Sequence, residues 1–63
     1  MIEIIVERWD EPSGSTDFLW SVWRDGKRVE MGGPHDDAAE SEAIARGYCR
    51  TVLRAEPDRI SRL

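Results

Sequence analysis

Asp25-Gly26, set between two runs of alternating apolar residues, constrains this chain more than any other pair of residues. Both tolerate the positive φ of a primed two-residue turn, so the dipeptide predicts a β-hairpin with a defined register. With the turn there, Arg24 faces Lys27, Trp23 faces Arg28, Val22 faces Val29, Ser21 faces Glu30 and Trp20 faces Met31. Alternation then puts Trp20, Val22, Val29 and Met31 on one side of the ribbon, and Leu19, Trp23 and Arg28 on the other. A chain of 63 residues has room for one core. The second apolar set therefore calls for its own explanation.

The rest of the chain supplies partners for this hairpin. Residues 2–9 alternate as a strand, with Ile2, Ile4 and Val6 on one side and Glu3, Ile5, Glu7 and Trp9 on the other. Asp10 to Asp17 is a polar loop containing Pro12 and Gly14. Strand two is predicted from Phe18 to Arg24 and strand three from Lys27 to Met31, with Gly32-Gly33-Pro34 expected to end the sheet. Asp36 or Asp37 can cap a helix, and Asp37 with Glu40 has capping-box spacing. Ser41, Ile44, Ala45, Tyr48, Cys49 and Val52 form its apolar stripe, with Leu53 at the margin. Pro57 places the helix end near Ala55, after which Ile60 and Leu63 are able to fold back onto the domain.

The expected architecture is a single α+β domain over residues 1–63: a three-stranded antiparallel meander sheet with one C-terminal helix packed on one face (βββα). Its core contains Ile2, Ile4, Val6, Phe18, Trp20, Val22, Val29 and Met31 under the helix stripe.

Hydrophobic residues make up 40% and charged residues 35%, which fits a soluble globular domain. No apolar run approaches a membrane span, and the first residues read as a strand with no secretory leader. One cysteine, Cys49, excludes an internal disulfide and agrees with a reducing, cytoplasmic setting. The net charge of −4 divides unevenly: residues 1–42 hold eleven acids and four bases, residues 43–63 two acids and five bases. An acidic body favours basic protein partners over nucleic-acid phosphates.

Catalytic chemistry finds no constellation here, and no cofactor is implied. His35 is the only histidine, and His35-Asp36-Asp37 reads as loop and cap, since a zinc site needs three or four convergent ligands. Cys49 lies on the core stripe, where a thiol is inert. Gly32-Gly33 lacks the phosphate-loop motif and its lysine.

Binding chemistry is better represented. The sheet face away from the helix is expected to carry Ile5, Trp9, Leu19, Trp23 and Arg28 among Glu3, Glu7 and Glu30. Tryptophan and arginine are the residues that anchor protein interfaces. The bland reading has Arg28 stacked on Trp23 as a cross-strand cation–π pair, or the C-terminal residues covering the patch. The acids of this face and its loop (Glu3, Glu7, Asp10, Glu11, Asp17, Glu30) can meet a basic groove on another protein. A second candidate is Arg46, Arg50 and Arg54, one turn apart along the helix, which could track a phosphate backbone. Glu42, one turn before Arg46, points instead to ordinary helix pairing.

Two family resemblances accompany these features. Trp20 to Ala55 resembles the AP2-like N-terminal domains of phage integrases, through the strand ending in Asp25-Gly26-Lys27-Arg28, the next strand closing at Gly32-Gly33, and the alanine-bearing helix. That resemblance implies DNA binding through basic residues of the open sheet face. Here the face departs from the pattern, with Glu3, Glu7 and Glu30 on it and Arg28 as its base. In length, single-domain character and excess of Asp and Glu, the whole chain is similar to small acidic phage inhibitors of the anti-CRISPR type. That resemblance implies a non-enzymatic protein that covers a basic surface of a CRISPR effector subunit. The sequence thus predicts a protein-binding module, with a nucleic-acid-binding domain using the arginine helix as the alternative, and a homodimer packed through its open faces as a further reading.

Overall fold

A computed structural model describes all residues, Met1–Leu63. Strands β1 (Ile2–Asp10), β2 (Thr16–Arg24) and β3 (Lys27–His35) are followed by helix α1 (Ala38–Tyr48) and strand β4 (Arg59–Arg62). The fold is α+β, and the three predicted strands form the expected antiparallel meander. The sheet nevertheless has four strands, in the order β3-β2-β1-β4, with β4 parallel to β1. The predicted three-stranded sheet is therefore one strand short.

The hairpin turn forms as read. Asp25 has φ 53° and Gly26 φ 81°, the two positive values of a primed turn. Beyond Arg24↔Lys27 and Trp23↔Arg28, however, the register departs from the sequence expectation. Val29 is an extra residue, a β-bulge, so Val22 pairs with Glu30, Ser21 with Met31 and Trp20 with Gly32. A one-residue slip exchanges faces. Val29 and Met31, expected in the core, are 41% and 49% exposed. Glu30, expected on the open face, stands on the helix side.

Packing of Trp20 explains this choice. A Cβ built on Gly32 would lie 2.6 Å from the Trp20 indole, so only glycine lets the ring lie on β3. The predicted register would have set Met31 there instead. Trp20 also meets Tyr48 of α1, with ring centroids 6.2 Å apart. Gly32-Gly33-Pro34 does not end the strand, because β3 is an edge strand where a missing N–H leaves no ladder bond unmade.

Asp37 caps α1, its carboxylate accepting from the Ala39 N–H at 3.1 Å. Ser41, Ala45 and Cys49 face the sheet and are fully buried. They are small, so the helix lies close over β1 and β2. Ser41 Oγ also donates to the Phe18 carbonyl at 3.1 Å. Ile2, Ile4, Val6, Trp20 and Val22 complete the buried core, with Phe18, Tyr48, Leu53 and Ile60 packed around it. Two residues of the predicted stripe are outside it: Ile44 is 40% and Val52 59% exposed. Ile44 projects beside the narrow contact line. Val52 belongs to the last turn, Cys49–Leu53, which is wound as a π-helix. That wider winding breaks the four-residue spacing of the stripe.

Arg54 ends the helix in the left-handed conformation, φ 57°, and the N–H groups of Arg54 and Ala55 both donate to the Cys49 carbonyl. The chain then reverses into β4. Asp58 accepts from the Ile2 N–H at 2.7 Å, and its own N–H donates to the Ile2 carbonyl at 2.8 Å. Ile60 pairs with Ile4 over the core, while Leu63 stays 74% exposed. Of the two C-terminal residues able to fold back, Ile60 alone packs its side chain against the core. Arg62 reaches across to Glu42 of α1 at 3.0 Å.

Two outcomes follow from this packing. Gly32→Ala forces the Trp20 indole off β3 and lowers the unfolding free energy by about 1–3 kcal/mol in urea titration, as overpacking does. Glu42 carries the pH dependence of the helix–β4 clamp. Its burial pushes the carboxyl up, but donation from Arg62 and Arg46 outweighs that and holds it below the ordinary 4.5. The clamp's contribution is therefore full above that ordinary value and is lost as pH falls through the lower, folded one. Glu42→Gln removes about 1 kcal/mol at neutral pH and flattens the acid limb of the stability curve, measured by urea unfolding across that range.

Candidate functional site

Because α1 covers one side of the sheet, the other side is open, and strand alternation decides what it displays. From the hairpin end, the first row across the sheet is Arg59, Glu3, Trp23 and Arg28, and the second is Ser61, Ile5, Ser21 and Met31. Glu7 and Leu19 form the third row, Trp9 and Asp17 the fourth. Seven of the eight residues predicted for this surface share it: Ile5, Trp9, Leu19, Trp23, Arg28, Glu3 and Glu7. Glu30 does not, for the bulge turns it to the helix side, where its carboxylate accepts from the Met31 N–H at 3.0 Å. Met31, Arg59 and Ser61 join the face unannounced. Met31 arrives through the bulge, and the other two with the unexpected fourth strand.

The two tryptophans of the face differ. Trp23 lies down on the sheet: its indole N–H donates to Ser21 Oγ at 2.9 Å, which holds the half-buried ring over a serine only 6% exposed. That hydrogen bond ties the ring to its own strand, where a cation–π pair with Arg28 was the bland expectation. Trp9 is 54% exposed at the far end. The C-terminal residues do not cover the patch, since Ile60 packs on the helix side and Leu63 is in solvent.

The charges divide into satisfied and free. Glu3 accepts from Ser61 Oγ at 3.2 Å and pairs with Arg59 at 3.5 Å. Asp10 accepts from Thr16 Oγ1 and from Arg8 Nε, and these donors, Thr16 first, hold its carboxyl below the ordinary range. Glu7 and Asp17 are half-buried and make no ion pair, and Arg28 is likewise without an acidic partner.

The arginine helix is largely neutralised. Arg46 pairs with Glu42 at 3.3 Å and Arg50 with Glu56 at 2.9 Å. Arg54 has no acidic partner, but its left-handed backbone takes it out of the helical row. Arg50, Arg54, Ala55 and Glu56 line a shallow depression at the helix exit.

For chemistry, the structure brings little together. No three His, Cys, Asp or Glu side chains converge as metal ligands. His35 Nδ1 stands 4.0 Å from Glu40 Oε1. Cys49 is fully buried, and that burial, reinforced by the charge of Glu56, pushes its thiol up, away from the reactive thiolate. No helix is long and apolar enough to cross a membrane.

Comparison with protein-family models, curated proteins and solved structures gave no match. The geometry of the open face therefore carries the functional reading. The thiol offers a separate check: Cys49 is expected to resist Ellman's reagent in the native protein and to react only as fast as the chain unfolds, timed by absorbance with and without urea.

Proposed function

We propose that this chain is a non-enzymatic protein-binding module that docks through the open face of its sheet onto a basic surface of another protein. One observation carries the reading. The uncovered face joins two tryptophans, Ile5 and Leu19 to the carboxylates of Glu7 and Asp17, which have no cation of their own. Rigid aromatic groups exclude water at the centre of a contact, and unpaired acids at its margin orient a basic partner. Occlusion of that partner's surface needs no bond-making group. The narrower form of the proposal, drawn from the anti-CRISPR resemblance, is a cytoplasmic inhibitor that covers the nucleic-acid groove of a CRISPR effector subunit. Direct nucleic-acid binding by α1 is the weaker alternative, because Glu42 and Glu56 already hold Arg46 and Arg50.

Purified CRISPR effector complexes, free and loaded with target nucleic acid, provide the test by biolayer interferometry. Binding is expected to the free complex and to be lost on loading. Trp9→Ala and Glu7→Lys each weaken it by about tenfold or more, with melting temperature unchanged. Equal affinity of these variants overturns the use of this face. A low-salt gel shift abolished by Arg50→Glu would transfer the function to the helix.

A further inference from the structure

The charges on the open face are arranged as a dipole along the strands. Arg28 and Arg59 stand at the hairpin end, where Glu3 offsets only one of them. Asp17 stands at the other end, level with Trp9 and six residues or about 20 Å away along β1, and Glu7 one row nearer, four residues or about 13 Å away. Ile5 and the half-exposed Met31 lie between them, with Leu19 beside Glu7. A surface positive at one end, negative at the other and apolar in the middle is complementary to itself when turned end for end.

We infer that the occupant of this face, when no other partner is present, is a second copy of the chain. A two-fold axis lying in the contact plane and perpendicular to the strands reverses one sheet over the other. Arg28 and Arg59 of each copy then oppose Asp17 and Glu7 of its partner, and the Trp23 end of one lies over the Trp9 end of the other. The apolar bands meet at the centre. Two twisted sheets in this arrangement pack with nearly aligned strands as a β-sandwich, the ordinary way such faces are buried. Four strands at about 4.8 Å spacing give a face about 20 Å wide, at the small end of protein interfaces. The dimer is accordingly weak, reversible and dependent on concentration. The inference rests on the proposed docking role of this face and adds a regulatory consequence: self-association and the basic partner compete for the same residues.

Sedimentation velocity over about 20 µM to about 1 mM tests it, without any partner. The weight-average mass is expected to rise from one copy toward two, and to rise less at high salt. Arg28→Glu and Asp17→Arg each weaken the dimer about tenfold, and the double variant Arg28→Glu/Asp17→Arg restores it to within about threefold, because the axis sets each residue against the other. Circular dichroism verifies that each variant is folded. Met31→Lys, at a side chain already half in solvent, provides an independent variant that abolishes association. A wild-type protein that stays monomeric throughout, or a double variant no tighter than the singles, overturns the inference. A monomer whose partner binding still falls on Trp9→Ala loses only the dimer; a dimer that binds no basic partner loses only the proposed function.

Discussion

Close contact between a stripe of small residues and the middle of a sheet is the interaction on which this molecule depends. Ser41, Ala45 and Cys49 are completely buried against β1 and β2, and the Trp20 indole packs beside them against Tyr48. The hydrophobic centre is correspondingly small, with Ile4, Val6 and Val22 as its largest fully buried members. Much of what surrounds that centre is held by directed polar contacts: Ser41 to the Phe18 carbonyl, Asp58 to the start of β1, and Glu42 to two arginines. A single helix of modest width shelters one side of the sheet. The exposed side, with its tryptophans, follows from that shortage of cover.

The sequence was most legible where local chemistry alone decides. Asp25-Gly26 admits few conformations other than a primed turn, and the alternation of β1 sorts Ile2, Ile4 and Val6 from Glu3, Ile5 and Glu7 without knowledge of any partner. The Asp37 cap was legible for the same reason. What could not be read depends on contacts distant in sequence. The bulge at Val29 reflects the fit of the Trp20 ring on Gly32, which no hairpin rule contains, and with it went Glu30, Met31 and Val29. Strand β4 has only four residues, and its pairing is parallel across the whole length of the chain. A pattern that short carries almost no periodic signal. Much of the candidate surface was visible nonetheless, because seven of its residues lie on β1, β2 and the first residues of β3, ahead of the register change.

Sheet edges show how the two unforeseen features are connected. β3 is bent by its bulge and carries Pro34, both of which discourage a further strand from pairing there. On the opposite side β1 has no such protection of its own. β4 covers it, and the cover is fastened by Arg59 to Glu3 and by Arg62 to Glu42. Two of the five arginines that make the C-terminal third basic thus fasten the closing strand to an acidic body.

The left-handed Arg54 gives this arrangement an unexpected dependence. A residue that is not glycine occupies a conformation glycine would adopt freely, and it is this residue that turns the chain from the helix axis back toward the sheet. Had the polypeptide continued helically there, its last nine residues would project into solvent and leave the flank of β1 bare to any passing strand. Shielding of the first half of β1 is thus governed by the torsion angles of one arginine, remote from the strand it protects.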